Sequence, residues 1–210
     1  MRRLPLFLAA LVLYLLAGAA RATTIVGPGN VTVLTYDTAP NLIVVDLNNP
    51  QTLAAGTYKA TFFNRQMNFG AGSIQPLLLT STSPTSYVTI ALGAAQSSGV
   101  TQAFTATTFG GTNAFTLGAT TTVYGGIYWA AGAPAMPVGY AAGGSSFVRY
   151  AGAAAPVVGN AIGGGATIGN PFARTYDFSI SVEPVPEPST AALLGLGVAL
   201  LVRRRASRAR

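Results

Sequence analysis

Between Thr175 and Val182 polar and apolar residues alternate without a break. Tyr176, Phe178, Ile180 and Val182 fall on one side, and Thr175, Asp177, Ser179 and Ser181 on the other. A period of two is the spacing of a β-strand, whose successive side chains point to opposite faces. The segment predicts an antiparallel strand with one buried and one wet face, and with it a body built from sheets. Residues 23–183 offer no competing 3.6-residue apolar stripe with helix caps. Thr and Gly are abundant where a helical domain would carry Glu, Lys and Leu, and such a composition disfavours helix.

Shorter β-branched and aromatic runs repeat the message along the chain. They occupy residues 31–36, 42–47, 56–64, 74–80, 87–92, 103–109, 114–117 and 121–129, with turn residues such as Ala39-Pro40-Asn41 and Asn48-Asn49-Pro50 between them. In 56–64, Tyr58, Ala60 and Phe62 share one face while Lys59, Thr61 and Phe63 share the other. This spacing predicts an all-β fold, an antiparallel β-sandwich of jelly-roll-like kind. Residues 110–169 hold fifteen of the 25 glycines. Within them, 130–137 and 151–165 read as long loops or bulged edge strands rather than core. No repeat of fixed period is present, which argues against a solenoid or propeller.

The formal charge of +7 resembles that of a nucleic-acid binder, but its distribution says otherwise. Arg2, Arg3 and Arg21 lie at one end and Arg203, Arg204, Arg205, Arg208 and Arg210 at the other. The body keeps Lys59, Arg65, Arg149 and Arg174 against Asp37, Asp46, Asp177 and Glu183, and is formally neutral. Nucleic-acid binding needs clustered cations, so no such partner is expected. With no cysteine and no histidine, the fold cannot rest on disulfides. Thiolate or imidazole metal sites, a His base and a Cys nucleophile are excluded as well.

What remains is thin for catalysis. The four body carboxylates are scattered and read as solvated surface charge rather than a glycosidase pair. Lys59 has no S-x-x-K context, and Gly163-Gly164-Gly165 lacks the Lys-Ser/Thr of a phosphate loop. Asp46 with Asn48 and Asn49 offers oxygen ligands, but without EF-hand spacing it reads as a turn. No metal and no cofactor is expected, and the body reads as non-enzymatic. The alternative is a lectin-like surface module, with Tyr124, Tyr128 and Tyr140 as a glycan platform and Trp129 turned into the core. Asn30-Val31-Thr32 fits a glycosylation sequon.

Both ends carry targeting character. Met1-Arg2-Arg3 precedes an apolar run over 4–16, and Ala20 and Ala22 flank an A-x-A site. The pattern predicts a signal peptide over 1–22 removed by signal peptidase. An exported domain then covers 23–183 and a tail 184–210. In the tail, Val185-Pro186-Glu187-Pro188-Ser189-Thr190 leads into an apolar run closed by Arg203, Arg204 and Arg205. A transmembrane helix over 190–202 would be about 20 Å long at ~1.5 Å per residue, short of a hydrocarbon core of ~30 Å. It makes a marginal permanent anchor and a sufficient temporary one. The arginines of 203–210 hold that end in the cytoplasm while the body crosses the inner membrane.

The ordered set of Pro186-Glu187-Pro188, the helix containing Leu193-Leu194-Gly195-Leu196-Gly197, and Arg203-Arg204-Arg205 resembles the PEP-CTERM protein-sorting signal of Gram-negative bacteria. The resemblance covers the tail alone. It implies recognition by an exosortase, processing near Pro186–Pro188, and release or transfer of the body to the cell surface or extracellular matrix. It also implies association with extracellular polysaccharide and biofilm. Glu187 is then a recognition element rather than a catalyst.

Overall fold

The computed structural model describes residues 23–29, 35–36, 41–64, 73–97, 105–108, 114–130, 139–143, 146–163, 165–168, 174–185 and 197. These form strands almost throughout. In chain order they are β1 (Thr24–Gly29), β2 (Thr35–Tyr36), β3 (Leu42–Asp46), β4 (Gln51–Leu53), β5 (Gly56–Asn64) and β6 (Ser73–Ser83). There follow β7 (Ser86–Leu92), β8 (Gln96–Ser97), β9 (Thr105–Thr108), β10 (Ala114–Leu117) and β11 (Thr121–Ala130). The series closes with β12 (Gly139–Ala142), β13 (Phe147–Ala151), β14 (Gly165–Ile168), β15 (Arg174–Tyr176) and β16 (Phe178–Pro184). All pairings are antiparallel. Among the described residues no helix is long and apolar enough to cross a membrane.

The strands make three sheets. A five-stranded sheet has the order β1-β16-β5-β10, with β9 also on β5. An eight-stranded sheet runs β14-β13-β3-β11-β6-β7, with β4 on β11 and β8 on β6. A small sheet, β15-β12-β2, completes the set. The first two share one core. Val26, Tyr58, Ala60, Phe62, Phe178, Ile180 and Val182 of the smaller sheet cluster with Leu42, Val44, Ile74, Leu78, Val123, Ile127 and Trp129 of the larger. Period-two patterning explains who takes part. Tyr58, Ala60 and Phe62 are buried while Lys59 is exposed, as the alternation in 56–64 requires. Tyr176 ties the small sheet to this core, its ring 5.7 Å from Trp129 and 5.4 Å from Phe147.

The larger sheet buries its other face too. Ile43, Val45, Leu77, Leu79, Tyr87, Tyr128, Val148 and Tyr150 form a second cluster. β13 and β7 lie well apart in the strand order, yet the Tyr150 hydroxyl donates to Thr85 O at 2.8 Å, so the sheet curls around this cluster. Residues 152–163 strap it. Ala153 N–H donates to Asn41 O at one end of the strap. At the other, Gly159 N–H donates to Thr89 O, Thr89 N–H to Asn160 O and Ile162 N–H to Tyr87 O. The strap thereby caps the outer edge of β7, which would otherwise offer unpaired backbone groups. Read from sequence as loop or edge, this stretch is indeed outside the strands apart from a bridge at Ala161. It nonetheless contributes Ala153 and Ile162 to the second cluster.

The alternating segment needs a correction. It is not one strand but two, β15 and β16, which part at Asp177 and belong to different sheets. Its polar side is not wet. Ser179 and Ser181 are buried, and Asp177 is 0% exposed. Burial along that side is uneven: β16 lies between β1 and β5, where the short Ser179 and Ser181 side chains are covered, while Glu183 nearer the strand's end is exposed. Asp46, also read as solvated, is buried at the end of β3.

β11 runs through the middle of the larger sheet and carries Gly125 and Gly126. A methyl on Gly125 would meet Phe178 Cε2 at 3.2 Å and Val26 Cγ1 at 3.3 Å, both from the opposing sheet. On Gly126 it would meet Leu79 Cδ1 and Val44 O, each at 2.8 Å. Val44 O is backbone of the neighbouring strand and cannot yield. Gly126→Ala is therefore expected to cost ~1–3 kcal/mol through overpacking, read as a lowered denaturant midpoint at unchanged slope. Gly118→Ala, with nothing within 4 Å, should stay within about 0.5 kcal/mol of the parent.

Candidate functional site: the tail exit and the tyrosine cluster

The body ends where the tail begins. β16 runs antiparallel beside β5, pairing Val182 with Ala60, Glu183 with Lys59 and Pro184 with Tyr58. Val185 N–H then donates to Thr57 O at 2.8 Å. Backbone order imposed by the sheet thus persists to the residue before Pro186. On the other side of β16, Thr24 pairs with Val182, and Thr23 Oγ1 donates to Glu183 Oε1 at 3.3 Å. The beginning and the end of the body leave from the same end of the same sheet. Pro186, Glu187, Pro188, Arg203, Arg204 and Arg205 lie outside the described residues, as do Ala20 and Ala22 at the other end.

The three tyrosines of the proposed glycan platform are not brought together. Tyr124 and Tyr128 share a face of β11, as their spacing requires, but that face is the second core. Tyr128 is 8% exposed, and Tyr124 packs edge-on against Tyr87 with centroids 5.2 Å apart. Tyr140 belongs to the small sheet and packs against the other core. Its ring contacts Tyr176 at 6.0 Å and stacks under the Arg174 guanidinium at 4.4 Å. The cation covers one face of the ring on which a sugar could otherwise stack. Trp129 is fully buried, as its side of the strand predicts.

Polar candidates are similarly engaged. Asp46 accepts from Asn48 N–H at 3.1 Å and Asn49 Nδ2 at 2.8 Å, closing the Asn-Asn turn after β3. Burial raises its carboxyl above the usual range, and these hydrogen bonds partly offset the rise. The turn reading of Asp46, Asn48 and Asn49 therefore describes its local structure. Among the described residues no group of three or more His, Cys, Asp or Glu gathers to hold a metal. Lys59 is exposed on β5 opposite Glu183. Asp37 and Asn30 lie outside the described residues.

Tyr87 and Tyr150 escaped sequence reading as a pair, although Tyr87 is the first buried residue of the alternately buried strand β7. Burial, with Tyr124 beside it, raises the Tyr87 hydroxyl, and a hydrogen bond with Ser81 opposes this. Burial, together with Tyr87, pushes Tyr150 up to about 12. In the unfolded chain a tyrosine ionises near pH 10, whereas the folded chain holds this proton longer. The stability linked to Tyr150 is therefore complete below about pH 10 and is lost as pH rises from there through about 12. Tyr150→Phe should cost about 1 kcal/mol at neutral pH, from the missing bond to Thr85 O. It should also flatten the fall in stability above about pH 10, measured by denaturant titration across the alkaline range.

Comparison with known proteins assigns one part of the chain. Residues 184–206 match the family model of the PEP-CTERM protein-sorting motif. The match begins inside the last residues of β16 and confirms the resemblance read from the tail. No curated protein and no solved structure matches the chain significantly.

Proposed function

We propose that this chain is an exported, non-enzymatic surface or extracellular-matrix protein, delivered through its tail by an exosortase. The observation that carries the reading is the sorting motif over residues 184–206, attached with no spacer to an antiparallel body whose final strand is fastened by the Val185 N–H bond to Thr57 O. The body is a β-sandwich made for display. Its first two sheets meet across one core, and the charged residues of the chain concentrate at the two ends that address it to the membrane. The N-terminal segment acts as a signal peptide cut after Ala22. The apolar run to Val202 holds the chain in the inner membrane until processing, with Arg203, Arg204 and Arg205 on the cytoplasmic side. The released body then joins the cell surface or the polysaccharide matrix around it.

Pro186-Glu187-Pro188 supplies recognition chemistry suited to an enzyme that reads extended chain. A proline fixes φ near −65° and disfavours helix for the residue before it, and Glu187 adds a carboxylate for an enzyme to recognise. In cells with an active exosortase, the mature protein should be isolated without residues beyond the motif, as read by intact mass. Replacing Pro186, Glu187 and Pro188 with alanine should leave the arginine-rich end attached, with processing slowed by at least about a hundredfold, a loss of ~3 kcal/mol of recognition. Wild-type protein that keeps its tail in such cells would overturn the reading.

A further inference from the structure

Both termini leave the body at one end, and the turns around that exit form a defined surface. Gly56 pairs with Leu117, Leu53 with Thr121 and Thr52 with Thr122. The β4–β5 and β10–β11 turns therefore flank the point where Val185 bonds to Thr57. Their surface is uncharged. Thr52 and Thr122 hydroxyls meet at 3.2 Å on the outer side of the larger sheet, and those of Thr57 and Thr116 at 3.1 Å on the outer side of the smaller one. Ala54, Ala55, Gly118, Ala119 and Thr120 between them are exposed. Lys59 and Glu183, the charges nearest this end along β5 and β16, face each other across the sheet.

Chain length limits how far this end can stand from the membrane. Residues 186–190 separate Val185 from the apolar run that begins at Ala191. Fully extended, that stretch reaches at most ~20 Å. A domain of this size has a radius of gyration of roughly 15 Å and a width near 40 Å. The tether is thus shorter than the body is wide, and only the exit end can lie against the machinery that holds the tail. Thr23, the first described residue, leaves from the same end.

We propose that this exit end, formed by the exposed turn residues Ala54, Ala55, Gly118, Ala119 and Thr120, is a docking face for the outward surface of the membrane-embedded enzyme that processes the tail. The inference rests on the sorting function proposed above and adds a recognition surface on the body. A protein partner suits the chemistry better than lipid. An anionic bilayer surface recruits clustered Lys and Arg, with Trp and Tyr at the interface, and the described turns at this end carry none of them. Exposed turns built of Ala, Gly and Thr instead permit close approach of another protein's main chain.

The test uses the full chain in cells that contain the processing enzyme, following loss of the tail over time by intact mass. Ala119 sits in the exposed β10–β11 turn and only its carbonyl is used, accepting from Thr121 Oγ1 at 2.8 Å. Ala119→Lys and Ala119→Glu therefore leave the fold unchanged, verified by an unshifted denaturation midpoint. Docking on a protein predicts that both slow processing by at least about tenfold, the penalty for disturbing one interface position. It also predicts that both substitutions are silent in a chain carrying a 20-residue Gly-Ser insertion after Val185, each compared with the extended parent. Normal rates in the substituted chains, or substitutions that still slow the extended chain, would overturn the proposal. So would faster processing with Lys and slower with Glu, which would identify lipid headgroups as the partner. Failure of the wild-type chain to lose its tail would instead strike the sorting function itself.

Discussion

Two adjacent glycines in β11 set the terms on which the rest of the molecule packs. Gly125 presents only hydrogen to the opposing sheet, so Phe178 and Val26 come within van der Waals reach of the strand. Gly126 does the same on the reverse side, where Leu79 and the Val44 carbonyl close in. β11 pairs with β3 on one side and β6 on the other. Those neighbours carry Leu42, Val44, Ile74 and Leu78 into one core and Ile43, Val45, Leu77 and Leu79 into the second. A bulkier residue at either glycine would push a sheet or a strand outward. Dispersion attraction is small for each atom pair and large in sum, so even a slight separation would weaken the whole layer. On the same strand, Ile127 and Trp129 pack into the first core and Tyr128 into the second.

How much of this was legible beforehand follows from where the physics is local. β5, β7, β10 and β11 fell within a residue or so of their read positions, because β-branched and aromatic runs bounded by turn residues are a local signal. The sidedness of Tyr58, Ala60, Phe62 and Trp129 was readable for the same reason. β12, β13 and β14 were not singled out, since Gly and Ala around them mask short strands that pair only through distant neighbours. The burial of Asp177 and Asp46 was illegible in principle. Alternation shows which residues share a face and not whether that face meets water: on one side of β16, Ser179 and Ser181 are buried and Glu183 is exposed. The tyrosines failed as a platform for a related reason. Tyr124 and Tyr128 were correctly placed on one side, but a curling sheet and the strap over 152–163 turned that side inward.

The tail was legible in another sense. Its meaning lies in chemistry that acts on covalent sequence, so Pro186-Glu187-Pro188 and the arginines announce a sorting motif before any fold is known, and the family match agrees. What the fold adds is location. Register brings Glu183 beside Thr23 and fastens Val185 to β5, so the residue that leads into the motif leaves the body at a defined end. A recognition event confined to a few residues thereby acquires a shaped surrounding.

The strand order of the smaller sheet also bears on time. Among the described strands β1 hydrogen-bonds to β16 alone, so the first strand made must wait for the last. About 150 residues separate them, and at ~5–20 residues per second of synthesis the wait is roughly eight to thirty seconds. During that interval Thr24–Gly29 is an orphan edge, with Ile25 among its side chains. Pairing over nearly the whole chain is slow by nature, and an unfilled slot between β1 and β5 invites strangers. The final strand is therefore both keystone and seal, and holding its tail while the sheet closes would keep neighbouring chains from seating themselves there first.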